Sequence, residues 1–382
     1  MRSLARACEA SDAELFVLTA RDPDSFVDYG PNLRFIRLES PPCLPGESWA
    51  RRILRVPEKS QPLRGEIRTR HLLNLADASD PFLSAQRNAI DALLPLMDVP
   101  AWKLPMKTIG WVPDFQHVKL PEFFSEFERK HRDQAIRHLA DYATCVILSS
   151  QTAREHFVEY APAHAAKARV LPFPSLFAFE PPSGDTGATL KRFNLPRKFA
   201  LVTNQFWAHK NHLAVVEALG QVARRGMRIP TVMTGLPADY RDPANETMSR
   251  LLQSIAAANL SGQVIVLGHV KYADLVSLIR TAAVIIQPSR FEGWNTTVQD
   301  AKALGRPLLC SDLPVHREQA PASLGFFPCD RPDVLAELLS KFWNELAPGP
   351  DDQLESKALA AENEFATKHG QSLIRLCREN GA

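Results

Sequence analysis

No apolar run in the 382 residues approaches the roughly 18 consecutive positions that a membrane-spanning helix needs. The N-terminus is mixed and polar and reads as lacking a signal peptide. Charge of one sign is scarce too. A net charge of +2 lacks the basic excess of a nucleic-acid-binding domain. Paired cysteines are missing: Cys8, Cys43, Cys145, Cys310, Cys329 and Cys377 are scattered without a C-x-x-C. That excludes the usual zinc and redox spacings and fits a reducing cytoplasm. There is no G-x-S-x-G, H-E-x-x-H, P-loop or G-x-G-x-x-G, so esterase, zincin, NTPase and dinucleotide readings have no support. An opening strand with a glycine turn is also absent. Met1–Ala10 reads as a helix and Glu14–Ala20 as a buried strand, so the usual first strand is expected upstream or lost.

A hydrophobic fraction of 45% and a charged fraction of 23% are those of a globular chain. At about 150 residues per domain the length suggests two domains. Short apolar runs alternate with helical stretches in both halves, which argues for βαβ units around parallel sheets. Strands are predicted at Leu33–Leu38, Ala89–Leu96, Lys107–Val112, Thr144–Ser149 and Ala168–Pro172. A second set follows at Phe199–Thr203, Thr231–Gly235, Gln263–Gly268, Ala283–Pro288 and Pro307–Ser311. The Pro- and Gly-rich loop Glu180–Gly187 marks a linker. The organisation is then an N-terminal domain over 1–178, a linker over 179–197, a C-terminal domain over 198–348 and a helical end over 349–382, placed to cross back to the first domain. Between Arg51 and Arg70 seven basic residues face two glutamates. That stretch is either a solvated face or a surface for anionic lipid at the inner face of a membrane.

The informative run lies after the predicted strand Ala283–Pro288. Glu292-Gly293 makes a turn, and Thr296 with Gln299 matches an S/T-x-x-E/Q capping box. Gly305 and Pro307 supply the stop. Gly293 permits close backbone approach, and the unpaired amides from Trp294 through Asn295 and Thr296 to Thr297 form an anion site at a helix start. That predicts a phosphate-bearing ligand. Two carboxylates flank it, Glu292 and Asp300. Eight residues of helix separate them by up to about 12 Å. A glycosidase pair stands about 5–9.5 Å apart, so hydroxyl binding is the better reading.

Glu292-x7-Asp300, followed by Ala301-x-Ala303-x-Gly305-x-Pro307, resembles the E-x7-E signature of glycosyltransferase family 4. The resemblance implies a GT-B fold: two Rossmann-like α/β domains whose parallel sheets face a central cleft. It implies a retaining, hexosyltransferase-like enzyme of polysaccharide biosynthesis that needs neither metal nor cofactor. The partners implied are a nucleotide-diphosphate sugar and a glycan or lipid-linked acceptor. In the family's pattern Glu292 contacts the donor sugar, Asp300 the ribose, and the intervening amides the diphosphate. Asp300 departs from the usual glutamate by one methylene. After Phe199–Thr203, the run Asn204-Gln-Phe-Trp-Ala-His-Lys210 resembles the family's phosphate clamp. Lys210 matches its lysine, while Asn204 stands where the arginine would be. In the first half, Trp111-x-Pro113-Asp114-x-Gln116-His117 resembles a run whose histidine faces donor and acceptor. His117 is therefore the acceptor-side candidate, with Asp114 and Gln116 beside it on a loop. Ser311–Glu318 also has a counterpart, without an assigned contact.

Two alternatives stay open. A metal-dependent D-x-D transferase would use Asp22-Pro-Asp24, although the intervening proline speaks against it. A catalytically silent nucleotide-sugar-binding or scaffold subunit is favoured by Asn204 and by the missing first strand.

Overall fold

The computed structural model describes residues 2–19, 33–37, 81–180, 182 and 184–379. The basic stretch Arg51–Arg70, Asp22-Pro-Asp24, Cys43 and Leu38 lie outside the described residues. Tertiary contacts group the chain into two compact units. One comprises Met1–Trp111, Ala135–Val146 and Gly370–Ala382; the other comprises Val112–Gln134 and Ile147–His369.

In the first unit, β1 (Leu15–Thr19) and β2 (Leu33–Arg37) pair in parallel as a sheet of their own. The helix Arg2–Glu9 packs on the last turns of the long helix Asp352–Arg378. A Cβ at Gly370 would lie 2.0 Å from the Ser3 carbonyl oxygen, so only glycine allows that approach. A separate four-stranded sheet, in chain order, is made of β3 (Ala92–Leu96), β4 (Lys107–Val112), β5 (Cys145–Leu148) and β6 (Ala168–Val170), of which β6 falls among the residues of the second unit.

The second unit contains a six-stranded parallel sheet built from β7 (Ala200–Thr203), β8 (Thr231–Thr234), β9 (Val264–Gly268), β10 (Val284–Gln287), β11 (Leu308–Ser311) and β12 (Gly325–Phe327). Its spatial order is β12-β11-β10-β7-β8-β9. This is the doubly wound order, with the reversal between β7 and β10. Side chains alternate across the sheet as strand geometry requires. Ala200, Val202, Val284, Ile286 and Leu309 meet Val215, Leu219 and Leu335 from helices His212–Arg224 and Pro332–Phe342. Leu201, Ile285, Leu308 and Cys310 meet Val276, Ile279, Val298 and Ala301 from helices Tyr272–Thr281 and Thr296–Ala303 on the other face. Both faces are covered, which is why these strands read as continuous apolar runs.

The strand expectations are met to within a few residues, while β12 has no counterpart among them. The stretch expected as linker contains a helix, Thr186–Arg192, whose N-cap Asp185 accepts from the Ala188 N–H at 2.9 Å.

At the end of β8 a Cβ on Gly235 would sit 2.0 Å from the Asn204 carbonyl oxygen, a backbone atom that cannot rotate away. Gly235→Ala is therefore expected to cost about 1–3 kcal/mol by forcing the β7 and β8 ends apart. A urea midpoint equal to the parent's would reject that contact as a constraint.

Candidate functional site

The reversal of strand order leaves β7 and β10 adjacent, with their following loops leading to opposite faces of the sheet. Ligands of open α/β sheets bind in the crevice this creates. Here the crevice floor is tied together. Asn204 Nδ2, at the end of β7, donates to Gln287 Oε1, at the end of β10, at 2.8 Å. Thr203 donates through Oγ1 to Thr297 Oγ1 at 3.0 Å, and Thr297 returns a bond to the Thr203 carbonyl at 2.9 Å. Asn211 takes the left-handed conformation, and its Nδ2 donates to the carbonyls of Pro288 and Cys329. The Arg290 N–H donates to the His209 carbonyl at 2.8 Å.

This stitching brings Lys210 and Glu292 together. Lys210 Nζ lies 2.7 Å from Glu292 Oε1, with the two side chains 16% and 9% exposed. Gln287 Nε2 donates to the same carboxylate at 3.1 Å and to Ser289 Oγ at 2.9 Å. Burial is the largest single influence and pushes the Glu292 carboxyl up, but the charge and hydrogen bond of Lys210, with Ser289 and His316, together hold the group below the usual range. His316 is fully buried and within electrostatic reach of Glu292. His209 is buried against Phe123 and Trp207, and burial lowers its imidazole to about 3. Both histidines are neutral at pH 7.

The helix after Glu292 begins at Thr296, but its cap is Asn295, one residue before the expected capping box. Asn295 Oδ1 accepts from the Val298 N–H at 2.9 Å. The Gln299 side chain does not close a box on Thr296; it turns to Glu362. A second correction concerns the amides. Of the four expected to be unpaired, the Asn295 N–H donates to Gln319 Oε1 at 3.1 Å. The Trp294, Thr296 and Thr297 N–H groups carry no hydrogen bond to any described residue. The Trp294 indole donates to the Phe173 carbonyl at 3.1 Å.

Asp300 sits one turn into the helix. Its Oδ1 accepts from Ser175 Oγ at 2.6 Å, so one carboxylate oxygen is committed to the protein. Burial, reinforced by the charge of Glu362, raises its carboxyl to about 6 despite the Ser175 bond.

The Trp111–His117 run approaches the same turn. A Cβ at Gly293 would lie 2.1 Å from the Pro113 carbonyl oxygen, so the Glu292-Gly293 turn and the Pro113-Asp114 turn are in backbone contact. Asp114 Oδ1 accepts from the Gln116 N–H at 2.8 Å and lies 3.9 Å from Arg132. Gln116 and His117 are not on a loop: they open a one-turn helix, Gln116–Lys119. The His117 ring is 1% exposed and stacks near Phe115, with Nε2 3.3 Å from Asp133. Burial lowers its pKa, so it is neutral at pH 7, and its Nδ1 has no partner among the described residues.

Several residues of this site were missed in the sequence. Gln287 and Ser289 end a predicted strand and carry no motif signal. Gln319 and His316 lie in or beside the Ser311–Glu318 match, which was the available clue. Ser175 and Glu362 have no local signal at all. Among the described residues no helix is long and apolar enough to cross a membrane, and no group of three His, Cys, Asp or Glu is arranged to hold a metal ion.

With this geometry in view, comparison with known proteins is informative. Residues 190–346 match the family of glycosyl transferases group 1. An alpha-D-kanosaminyltransferase of Streptomyces kanamyceticus is 24% identical over 184 residues, which are 47% of this chain and 45% of that enzyme. The chain thus spans about half the length of that curated relative. Among solved structures, a glycosyltransferase of Rickettsia africae superposes with a TM-score of 0.63 at 14% identity, covering 98% of this chain and 90% of that one. A sucrose-phosphate synthase of Thermosynechococcus elongatus gives 0.57 at 18% identity, covering 98% and 89%. Anabaena HepE in complex with UDP-glucose gives 0.53 at 15% identity, covering 72% and 70%. The likeness to these structures shows a GT-B fold.

The Asp300 carboxyl yields a test of the site's electrostatics. Its folded pKa of about 6 exceeds the ordinary 3.8, so its favourable contribution is complete below pH 3.8 and is lost as pH rises through 6. Asp300→Asn, which cannot ionise, is expected to be more stable than the parent above pH 6 by up to about 3 kcal/mol. The gap should close toward pH 4. Urea denaturation at pH 4 and pH 8 measures it, and a gap independent of pH would show that burial is not the cause.

Proposed function

We propose that the chain is a retaining, metal-independent glycosyltransferase of family 4 type. It moves a sugar from a nucleotide-diphosphate sugar to a glycan or lipid-linked acceptor. The observation that carries this reading is the Lys210–Glu292 pair at the β7/β10 reversal, next to the unbonded Thr296 and Thr297 amides. A cation and helix-start amides converging on one crevice suit a diphosphate, and a buried carboxylate beside them suits sugar hydroxyls. Residues 198–348 would hold the donor and residues 1–178 would face the acceptor, on the cytoplasmic side of a membrane.

In the reaction proposed, the bond from the anomeric carbon to the donor phosphate oxygen breaks. The acceptor hydroxyl oxygen bonds to the same face of that carbon, and its proton passes to the departing phosphate. No protein nucleophile is required. Lys210 and the Trp294, Thr296 and Thr297 amides stabilise charge as it builds on the leaving group, and Glu292 orients the sugar. Asp300 offers its remaining oxygen to the ribose. The backbone contact between the Pro113-Asp114 turn and the Glu292-Gly293 turn supports an acceptor-side role for the 113–117 segment. HepE binds UDP-glucose, which makes UDP-sugars the first donors to try.

A second reading rests on Asn204. Its amide is committed to Gln287, so half of the expected cationic clamp is replaced by a structural bond. A silent donor-binding subunit would look the same at that position. Donor hydrolysis and transfer across UDP-, GDP- and TDP-sugars separate the two readings; binding without turnover selects the silent one. Lys210→Ala is expected to lower kcat by roughly 10²–10³, the range for loss of one charge-stabilising group. An unchanged kcat removes Lys210 from the reaction. Turnover is expected to persist in excess EDTA, and its loss there, restored by added Mg²⁺ or Mn²⁺, would overturn the metal-independent mechanism.

A further inference from the structure

We infer that Glu362, on the long C-terminal helix, is a positioning residue for the phosphate-gripping turn. The inference rests on the donor-site reading above. It follows from a buried chain of hydrogen bonds running from Glu362 to the backbone of Asn295. The Glu362 carboxylate accepts from Gln299 Nε2 at 3.0 and 2.8 Å and from the Ser175 N–H at 2.6 Å. Gln299 in turn presents Oε1 to Gln319 Nε2 at 3.3 Å. The Gln319 amide then holds Asn295 at two points: its Nε2 donates to the Asn295 carbonyl at 2.7 Å, and its Oε1 accepts from the Asn295 N–H at 3.1 Å.

The direction of this relay is set at both ends, by the Glu362 carboxylate and by the Asn295 backbone. Both Glu362 oxygens accept from Gln299 Nε2, which obliges Gln299 to turn its NH₂ toward the long helix and its oxygen toward Gln319. Gln319 must then show its NH₂ to Gln299 and to the Asn295 carbonyl, which leaves its oxygen for the Asn295 N–H. Without the carboxylate Gln299 can flip, and its NH₂ would then meet the Gln319 NH₂ that the Asn295 carbonyl holds in place, donor against donor, which loosens Gln319 on Asn295. All four side chains are buried, so water does not repair a mismatch. The consequence reaches the ligand side of the turn. With Asn295 fixed inward, its side chain caps Val298, and the Thr296 and Thr297 N–H groups stay free for an anion.

The test uses the full chain and calorimetric titration with UDP, GDP and TDP, alongside thermal unfolding of each variant. Glu362→Ala is expected to weaken diphosphate binding roughly tenfold, and Gln319→Ala by a similar factor. The double variant is expected to bind no more weakly than the worse single, because both act through one relay. Glu362→Gln, which keeps one acceptor oxygen, is expected to bind more tightly than Glu362→Ala. A lower Tm with unchanged affinity in Glu362→Ala, or losses that multiply in the double variant, would make Glu362 a structural residue and overturn the inference. Should Glu362→Ala not fold, Gln319→Ala and Glu362→Gln decide: parental affinity in Gln319→Ala overturns it. A parent chain that binds none of the three diphosphates overturns the donor-site reading, and this inference with it.

Discussion

The ion pair between Lys210 and Glu292 is the interaction to which the rest of the site is subordinate. Withdrawing two charges from water costs several kcal/mol per ion, and their attraction offsets that cost only with good geometry and further hydrogen bonds. Both conditions hold here. Gln287 and Ser289 supply the additional bonds, and the loops carrying the two charges are pinned to one another through Asn211 and through Arg290 with His209. A pair held in this way is also chemically poised. Under the proposed reaction the departing phosphate competes with Glu292 for the ammonium, and it competes best when its charge has fully developed. Interactions that strengthen only at that point lower the barrier, whereas those present from the outset do not.

What was legible in the sequence was the part determined locally. Strands covered on both faces announce themselves as apolar runs, and β7, β8, β10 and β11 were found to within a residue or so at each end. Three-residue β12 is too short to show a pattern. The error at the helix start is instructive. Asn295 and Thr296 are both good capping residues, and Thr296 with Gln299 fits the capping-box spacing, so local chemistry favours the later start. Tertiary contacts reverse it, because Gln299 has buried partners in Glu362 and Gln319. The helix inside the expected linker was hidden by its composition. Asp185, Thr186 and Gly187 look like loop residues, and only the Asp185 cap reveals that a helix begins there.

Ser175 and Glu362, which the sequence did not disclose, share one property: each finds its partners far along the chain. Ser175 meets Asp300 across 125 positions, and Gln299 meets Glu362 across 63. No periodicity or short motif encodes such a pair. The fold makes it, by delivering the segment after β6 and the long C-terminal helix to one helix start. The motif residues therefore name the chemistry, while their distant partners decide how many lone pairs and amides are left to carry it out.

Ser175 shows how that allocation works. Its hydroxyl goes to Asp300 and its backbone N–H to Glu362, so one residue serves two buried carboxyls, both of which burial pushes upward. Two adjacent anions would be hard to sustain in an apolar setting. They are tolerated because Lys302 lies within electrostatic reach of Glu362, and because Asp300 is only one turn inside a helix start, where the dipole favours negative charge. Asp300 is thereby held in one orientation with a single oxygen uncommitted. Under the proposed function that oxygen is what remains for the ribose. A carboxylate one methylene shorter than the family pattern is then compensated by rigidity, since a pre-set acceptor gives up less freedom on binding than a longer, mobile one.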